Sequence, residues 1–166
     1  MIDVSPLVEV DLDGAHGRRG EGTPATLDVA RRMDAACRVN GFFAITGHGV
    51  DPGLLPRLDG EARAFFARPE ADKAQVAMTR GGRAWRGWFP VGGELTSGVP
   101  DLKEGLYFGT ELTADHPRVR AATPLHGANQ FPDDAPQLRS TVLAWLDAMR
   151  PVADAVTPDH LHRGHR

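Results

Sequence analysis

The chain has 166 residues, 19 Lys and Arg against 22 Asp and Glu, a formal net charge of −3 and a pI near 6.1. That balance excludes a general electrostatic nucleic-acid binder, which needs a basic face, and no apolar run approaches the roughly 20 residues of a membrane helix. A single cysteine, Cys37, excludes an internal disulfide framework, and acidic residues at Asp3, Glu9, Asp11 and Asp13 leave no secretory apolar region, so a cytoplasmic protein with no membrane or nucleic-acid partner is expected.

Ile2 to Val4 and Leu7 to Val10 read as short strands, and residues 13–23 as a polar, glycine-rich loop. Thr26 to Asn40 reads as a helix. Leu27, Ala30, Met33 and Cys37 recur at steps of three and four, which predicts an apolar stripe with Cys37 buried on it. Thr23 or Thr26 can cap its start and Asn40-Gly41 can end it.

The stretch GFFAITGHGV, residues 41–50, predicts a strand and then a tight turn around His48. Asp51-Pro52 offers an N-cap followed by proline. Leu54, Leu55, Leu58, Ala62, Phe65 and Phe66 form the apolar side of a second helix, with Pro56 able to delay its start. Pro69 opens a short charged helical segment that runs to Met78.

From Thr79 to Gly109 glycines alternate with Trp85, Trp88, Phe89, Tyr107 and Phe108. Short strands are expected near 86–89 and 105–109. Residues 110–136 form a long proline-bearing connection, a feature that is often functional. The last helix, 134–156, carries Leu138, Val142, Trp145, Met149, Val152 and Val156 on one stripe; Pro151 should kink it or end it early. Residues 157–166, TPDHLHRGHR, lose that period and are expected to be poorly ordered.

Four kinds of chemistry can be weighed against these residues. Gly47-x-Gly49-x-x-x-Gly53 loosely imitates a phosphate loop, but no second strand carrying an acid follows at the required distance. A simple strand-to-helix turn explains the glycines. No histidine of the seven is followed two residues later by an acid, so the usual start of a two-histidine, one-carboxylate iron site is missing. His160, His162 and His165 have chelating spacing but lie in the aperiodic tail. There is no Gly-x-Ser-x-Gly, Cys37 lies on a helix's apolar stripe, and Ser97, in the loop ELTSG, has no identifiable base. Finally, Trp88, Phe89, Glu94 and Thr96 in RGWFPVGGELT could line a pocket, or could form a hairpin whose aromatics cover the core.

Five segments, in order, resemble the N-terminal region of the isopenicillin N synthase-like non-haem iron, 2-oxoglutarate-dependent dioxygenases. They are Ala36-Cys37 through Gly41-Phe42-Phe43 to His48-Gly49; Phe65-Phe66-x-x-Pro69-x-x-x-Lys73; Arg86-Gly87-Trp88, where the family usually has Gly-Tyr; Asp101-Leu102-Lys103-Glu104; and Gly127-x-Asn129-x-Phe131-Pro132. The resemblance implies an α+β class in which helices and short strands form the N-terminal part of a distorted jelly roll. It spans residues 1–156 as one N-terminal-like domain.

It also implies that Fe(II) and 2-oxoglutarate serve a longer family member acting on a small organic substrate. The family's His-x-Asp, distal His and Arg-x-Ser residues belong to its second half, and no residue here matches them. No catalytic or metal residue is therefore assigned. Arg86, Trp88, Glu94 and Thr96 are the expected substrate-side residues, because this region can reach the cavity mouth. Residues 157–166 read as an out-of-frame tail of a truncated dioxygenase, so no activity of this chain alone is expected. The competing expectation is a non-catalytic interaction module that complements a separate catalytic half.

Overall fold

The computed structural model describes residues 9–12 and 24–156. The expected strand Ile2 to Val4, the loop 13–23 and the tail 157–166 lie outside the described residues. The chain divides into two units: one holds the residues up to Val50 and from Ala148 onward, the other spans Asp51–Asp147.

The first unit is a β-α-β arrangement. β1 (Glu9–Asp11) pairs in parallel with β2 (Ala44–Thr46), in the register Val10 opposite Ile45. The ladder continues through Leu12, whose N–H donates to the Thr46 carbonyl at 2.9 Å. Parallel strands need a crossover connection, and α1 (Pro24–Val39) supplies it. Val10, Leu12 and Val152 are fully buried, with Val29, Met33, Phe43, Ile45 and Met149 around them.

The face of α1 differs from the expected one. Leu27, Ala30 and Cys37 are exposed, whereas Val29, Met33 and Ala36 face inward. Both sets are spaced by three and four and share Met33, so periodicity alone cannot choose between them. Packing on Val10 and Leu12 decides it. Gly41, at φ +79°, ends the helix as expected.

The second unit begins with α2 (Leu54–Phe66). Its cap is Gly53, not Asp51. Asp51 acts one step earlier: its Oδ1 accepts the Gly53 N–H at 2.8 Å and its carbonyl accepts the Leu54 N–H at 3.0 Å. Pro56 does not delay the helix, because N–H groups of a first turn have no intrahelical partner to lose. α3 (Glu70–Lys73) and three single 3-10 turns between Ala74 and Ala84 follow. β3 (Gly87–Phe89) pairs antiparallel with β6 (Gly105–Tyr107), and between them β4 (Leu95–Thr96) and β5 (Val99–Pro100) form a small hairpin. α4 (Pro117–Arg120) interrupts the long connection.

α5 (Pro136–Val156) is a single helix that contributes Leu138 and Val142 to the core of the second unit and Met149 and Val152 to that of the first. Pro151 does not end it. The proline forgoes one backbone bond, and the burial of Val152, 2 % exposed, holds the last turn. The second core gathers Phe65, Val76, Trp88, Leu138 and Val142. Full burial of a side chain such as Phe65 is worth about 2–3 kcal/mol. The α+β class holds: five helices and three two-stranded sheets among the described residues.

Candidate functional site

The sheet β3–β6 is only three residues long in each strand, too short to fix itself. Glycine and polar side chains fix it. Gly87 sits at φ +120°, where a Cβ would run into the Val76 carbonyl and the Gln130 amide. Opposite Phe89 stands Gly105, whose missing Cβ leaves room for the Phe89 ring. Gln130 Nε2 donates to the Arg86 carbonyl at 2.6 Å and to that of Ala77 at 3.1 Å, tying β3 to the turn before it.

Beneath the sheet lies a polar triad. Lys73, 7 % exposed, donates to Glu104 Oε2 at 2.7 Å and to the Phe66 carbonyl at 3.2 Å. Trp88, 5 % exposed, donates its Nε1–H to the same Glu104 oxygen at 2.8 Å, and the Lys73 ammonium stands 5.5 Å from its ring centroid. The Lys73 hydrogen bond holds the Glu104 carboxyl below its ordinary pKa; partial burial opposes this and Trp88 assists it. A buried lysine is tolerable only with such partners.

A second set closes the long connection. Asn129, 9 % exposed, accepts the Gly109 N–H with Oδ1 at 2.9 Å. Its Nδ2 donates to the Gly109 carbonyl at 2.8 Å and to Glu111 Oε2 at 2.7 Å. Phe108 stacks on Phe131 with centroids 4.9 Å apart. The triad and this latch were visible in sequence only as isolated letters of the second to fifth segments; no spacing rule joins Lys73 to Glu104.

Of the four expected substrate-side residues, the structure brings Glu94 and Thr96 together and sends Arg86 and Trp88 elsewhere. Glu94 accepts the Tyr107 hydroxyl at 2.8 Å and pairs with Lys103 at 3.1 Å. Thr96 is exposed in β4; it and Lys103 hold the Asp101 carboxyl below its ordinary pKa, and Asp101 pairs with Lys103 at 3.2 Å. Glu94 raises the pKa of the Tyr107 hydroxyl, and burial adds to that. Val91, Leu95, Val99 and Leu102 around this hairpin are all exposed. Trp88 points into the core. Arg86 Nη2 donates to the Leu125 carbonyl at 2.9 Å, and its buried Nε has no partner. Burial pushes the Arg86 guanidinium down from its usual value, with Glu111 opposing.

An apolar groove opens in the same unit, about 230 Å3 in volume, walled by α2, α5 and the chain at β6. Its lining carries no charged or polar side chain.

Two of the described histidines, His48 and His126, are engaged by the scaffold. His48, flanked by Gly47 and Gly49 at φ +61° and +69°, accepts the Val50 N–H with Nδ1 at 3.1 Å. His126 lies between the Pro124 carbonyl, 2.8 Å from Nδ1, and Arg118, 3.1 Å from Nε2. A carbonyl only accepts and a guanidinium only donates, so Nδ1 donates to Pro124 and Nε2 accepts from Arg118. Among the described residues no three His, Cys, Asp or Glu side chains converge to hold a metal ion. These residues do not fit an iron site. Nor is any described helix long and apolar enough to cross a membrane.

Residues 3–134 match the family model described as the non-haem dioxygenase in morphine synthesis N-terminal domain. A Dictyostelium discoideum protein named as a probable iron/ascorbate oxidoreductase is 40 % identical over 156 residues, which is 94 % of this chain and 43 % of the relative. Isopenicillin N synthase of Hapsidospora chrysogena is 33 % identical over 136 residues, 81 % of this chain and 36 % of that enzyme. A solved 2OG-Fe(II) oxygenase family protein of Caulobacter crescentus superposes with a TM-score of 0.64 at 25 % identity, covering 92 % of this chain and 48 % of its own. The chain spans less than half the length of these relatives.

Proposed function

The chain belongs to the non-haem dioxygenase N-terminal family, and on that premise we propose that it serves as the N-terminal portion of a cytoplasmic Fe(II), 2-oxoglutarate-dependent oxidoreductase acting on a small organic substrate. Relatives named as 2-oxoglutarate-Fe(II) type oxidoreductases, in Emericella nidulans and Aspergillus fumigatus, support the cofactor pair. In this reading the chain supplies no iron ligand and no 2-oxo acid ligand, and the 166 residues alone turn nothing over.

Its contribution is on the substrate side. The β4–β5 hairpin presents Thr96 and Glu94 among exposed aliphatic side chains, a mixture of apolar wall and few polar anchors suited to a small organic molecule. That hairpin is the observation that carries the reading. Trp88 and Arg86 act on the substrate through position: Trp88 holds β3 on Glu104, and Arg86 holds the turn at Leu125.

The test joins this chain to the part of the Dictyostelium discoideum relative that lies beyond the match. With Fe(II) and 2-oxoglutarate the joined protein should form succinate, and the 166-residue chain alone should form none. Thr96→Ala in the joined protein should raise KM for the prime substrate more than it lowers kcat. Turnover by the isolated chain, or a joined protein that folds, binds iron and stays inert, would overturn the reading.

A further inference from the structure

We propose that the face built around Trp85 and Leu125 is a docking surface for an acidic polypeptide segment that carries apolar side chains. It lies on the 51–147 unit, uses none of the groove or β4–β5 residues, and is independent of the reaction just proposed. Three observations carry it. First, residues 74–93 and 116–132 contain Arg80, Arg83, Arg86, Arg118 and Arg120 but no Asp or Glu, in a chain whose acids outnumber its lysines and arginines. The fold joins these two stretches. The Leu125 N–H donates to the Arg83 carbonyl at 2.8 Å, Arg86 Nη2 donates to the Leu125 carbonyl at 2.9 Å, and Gly127 leaves room for the Ala84 side chain. Positive charge scattered along the chain is thereby gathered.

Second, that charge is left unneutralised. Arg80, Arg83, Arg118 and Arg120 are exposed, and among the described residues no carboxylate pairs with any of them. Arg57, Arg63, Arg68 and Arg139 of the same unit each have one. Arg118 is also braced: its Nη1 rests on His126 at 3.1 Å. Its other N–H groups can take a carboxylate at a smaller cost in freedom.

Third, the face has an apolar centre. Trp85 and Leu125 are 56 % and 57 % exposed and sit on left-handed backbone, at φ 55° and 65°. Bulky residues rarely adopt that conformation, and it persists only where the surrounding structure imposes it. An exposed indole and a leucine on arginine-bearing segments have the composition of a protein-binding hot spot. The occupant must offer carboxylates, which guanidinium groups grip in two-pronged fashion, and apolar side chains for the centre. Single-stranded nucleic acid fits less well, because it stacks successive bases on several rings and this face offers one. An anionic bilayer would be repelled by the acid excess of the chain as a whole.

The probe is a blocked peptide of glutamates with a leucine at every third position, titrated into the 166-residue chain in a calorimeter. Binding is expected, and it should weaken as salt rises. Arg83→Glu and Arg118→Glu should each weaken it by about 10-fold or more. Should either variant unfold in urea midpoints, Arg120→Glu carries the same expectation. Trp85→Asn should match that loss without lowering the urea midpoint, since asparagine tolerates left-handed backbone. Arg63→Glu, an equal change of charge on α2, should leave binding within about 2-fold. No binding, equal loss from Arg63→Glu, or indifference to Trp85→Asn overturns the proposal. So does equally tight binding of free glutamate, which would make this a small-anion site. Tighter binding of oligothymidylate or of phosphatidylserine vesicles overturns it too, by naming another occupant.

Discussion

In the 51–147 unit an ion pair is turned inward, Lys73 to Glu104, and shares an oxygen with a buried indole. In the unit that holds β1, α1 and β2, the pairs Arg31–Asp28 and Arg38–Asp34 lie on the helix surface with all four side chains more than 60 % exposed. The contrast follows from what each unit has to order. β1, α1 and β2 form one crossover, whose short parallel ladder and apolar core set the arrangement. The other unit contains strands of two and three residues, several 3-10 turns and a long connection. Register there comes from contacts between residues far apart in sequence: Lys73 with Glu104, Asn129 with Gly109, Gln130 with Arg86.

Substitutions can break that contrast, and their effects should fall in a defined order. Gly87→Val should be the most damaging, on the order of 4 kcal/mol, because φ +120° and the contacts with the Val76 carbonyl and Gln130 both exclude a side chain. Urea unfolding would measure it, and hydrogen exchange should place the loss in β3 and β6. Lys73→Met should follow at about 2–3 kcal/mol, since it strands Glu104 and the Phe66 carbonyl in a partly buried setting.

Val152→Ala tests the aliphatic core of the other unit and should cost about 2 kcal/mol. Its exchange signature should fall on α1 and β2 rather than on β3. Asp34→Ala should change the unfolding midpoint least, because that pair is solvated.

Acid sharpens the same contrast. Glu104 is held below its ordinary value of 4.5, so the unfolded chain binds its proton first as pH falls. The stabilisation is therefore complete above 4.5 and is lost as pH drops through the folded pKa. Glu104→Gln should lower stability at neutral pH and flatten the fall below 4.5; an unchanged acid limb in urea midpoints would remove Glu104 as its source.

Much of the fold was legible where one period dominates. Of the expected stripe, Leu138, Val142, Met149, Val152 and Val156 of α5 do reach the cores, while Leu146 packs there and Trp145 lines the groove. The turn at His48 was legible because glycines bracket it. The inward face of α1 was not, since Val29–Met33–Ala36 and Leu27–Ala30–Met33 obey the same rule and only β1 decides between them. The helix through Pro151 escaped local rules for a related reason: burial of Val152 outweighs one missing bond. Around the hairpin, Glu94 and Thr96 could be named from sequence, but not their anchors. The Tyr107 hydroxyl and Lys103 reach Glu94 only once β3 and β6 have paired.

The three tryptophans give this division an optical consequence. All of them, Trp85, Trp88 and Trp145, belong to the 51–147 unit, so intrinsic fluorescence is blind to the other. They also sample separate environments. Trp85 is exposed on a left-handed backbone at φ 55° and should emit at long wavelength; Trp88 is buried against Glu104 and Lys73 and should emit to the blue. Trp145 stands in the groove wall. Peptide docking at Trp85 should shift only the Trp85 emission, while acid acting on Glu104 should alter that of Trp88. Single-tryptophan variants would thus separate the two events in one cuvette.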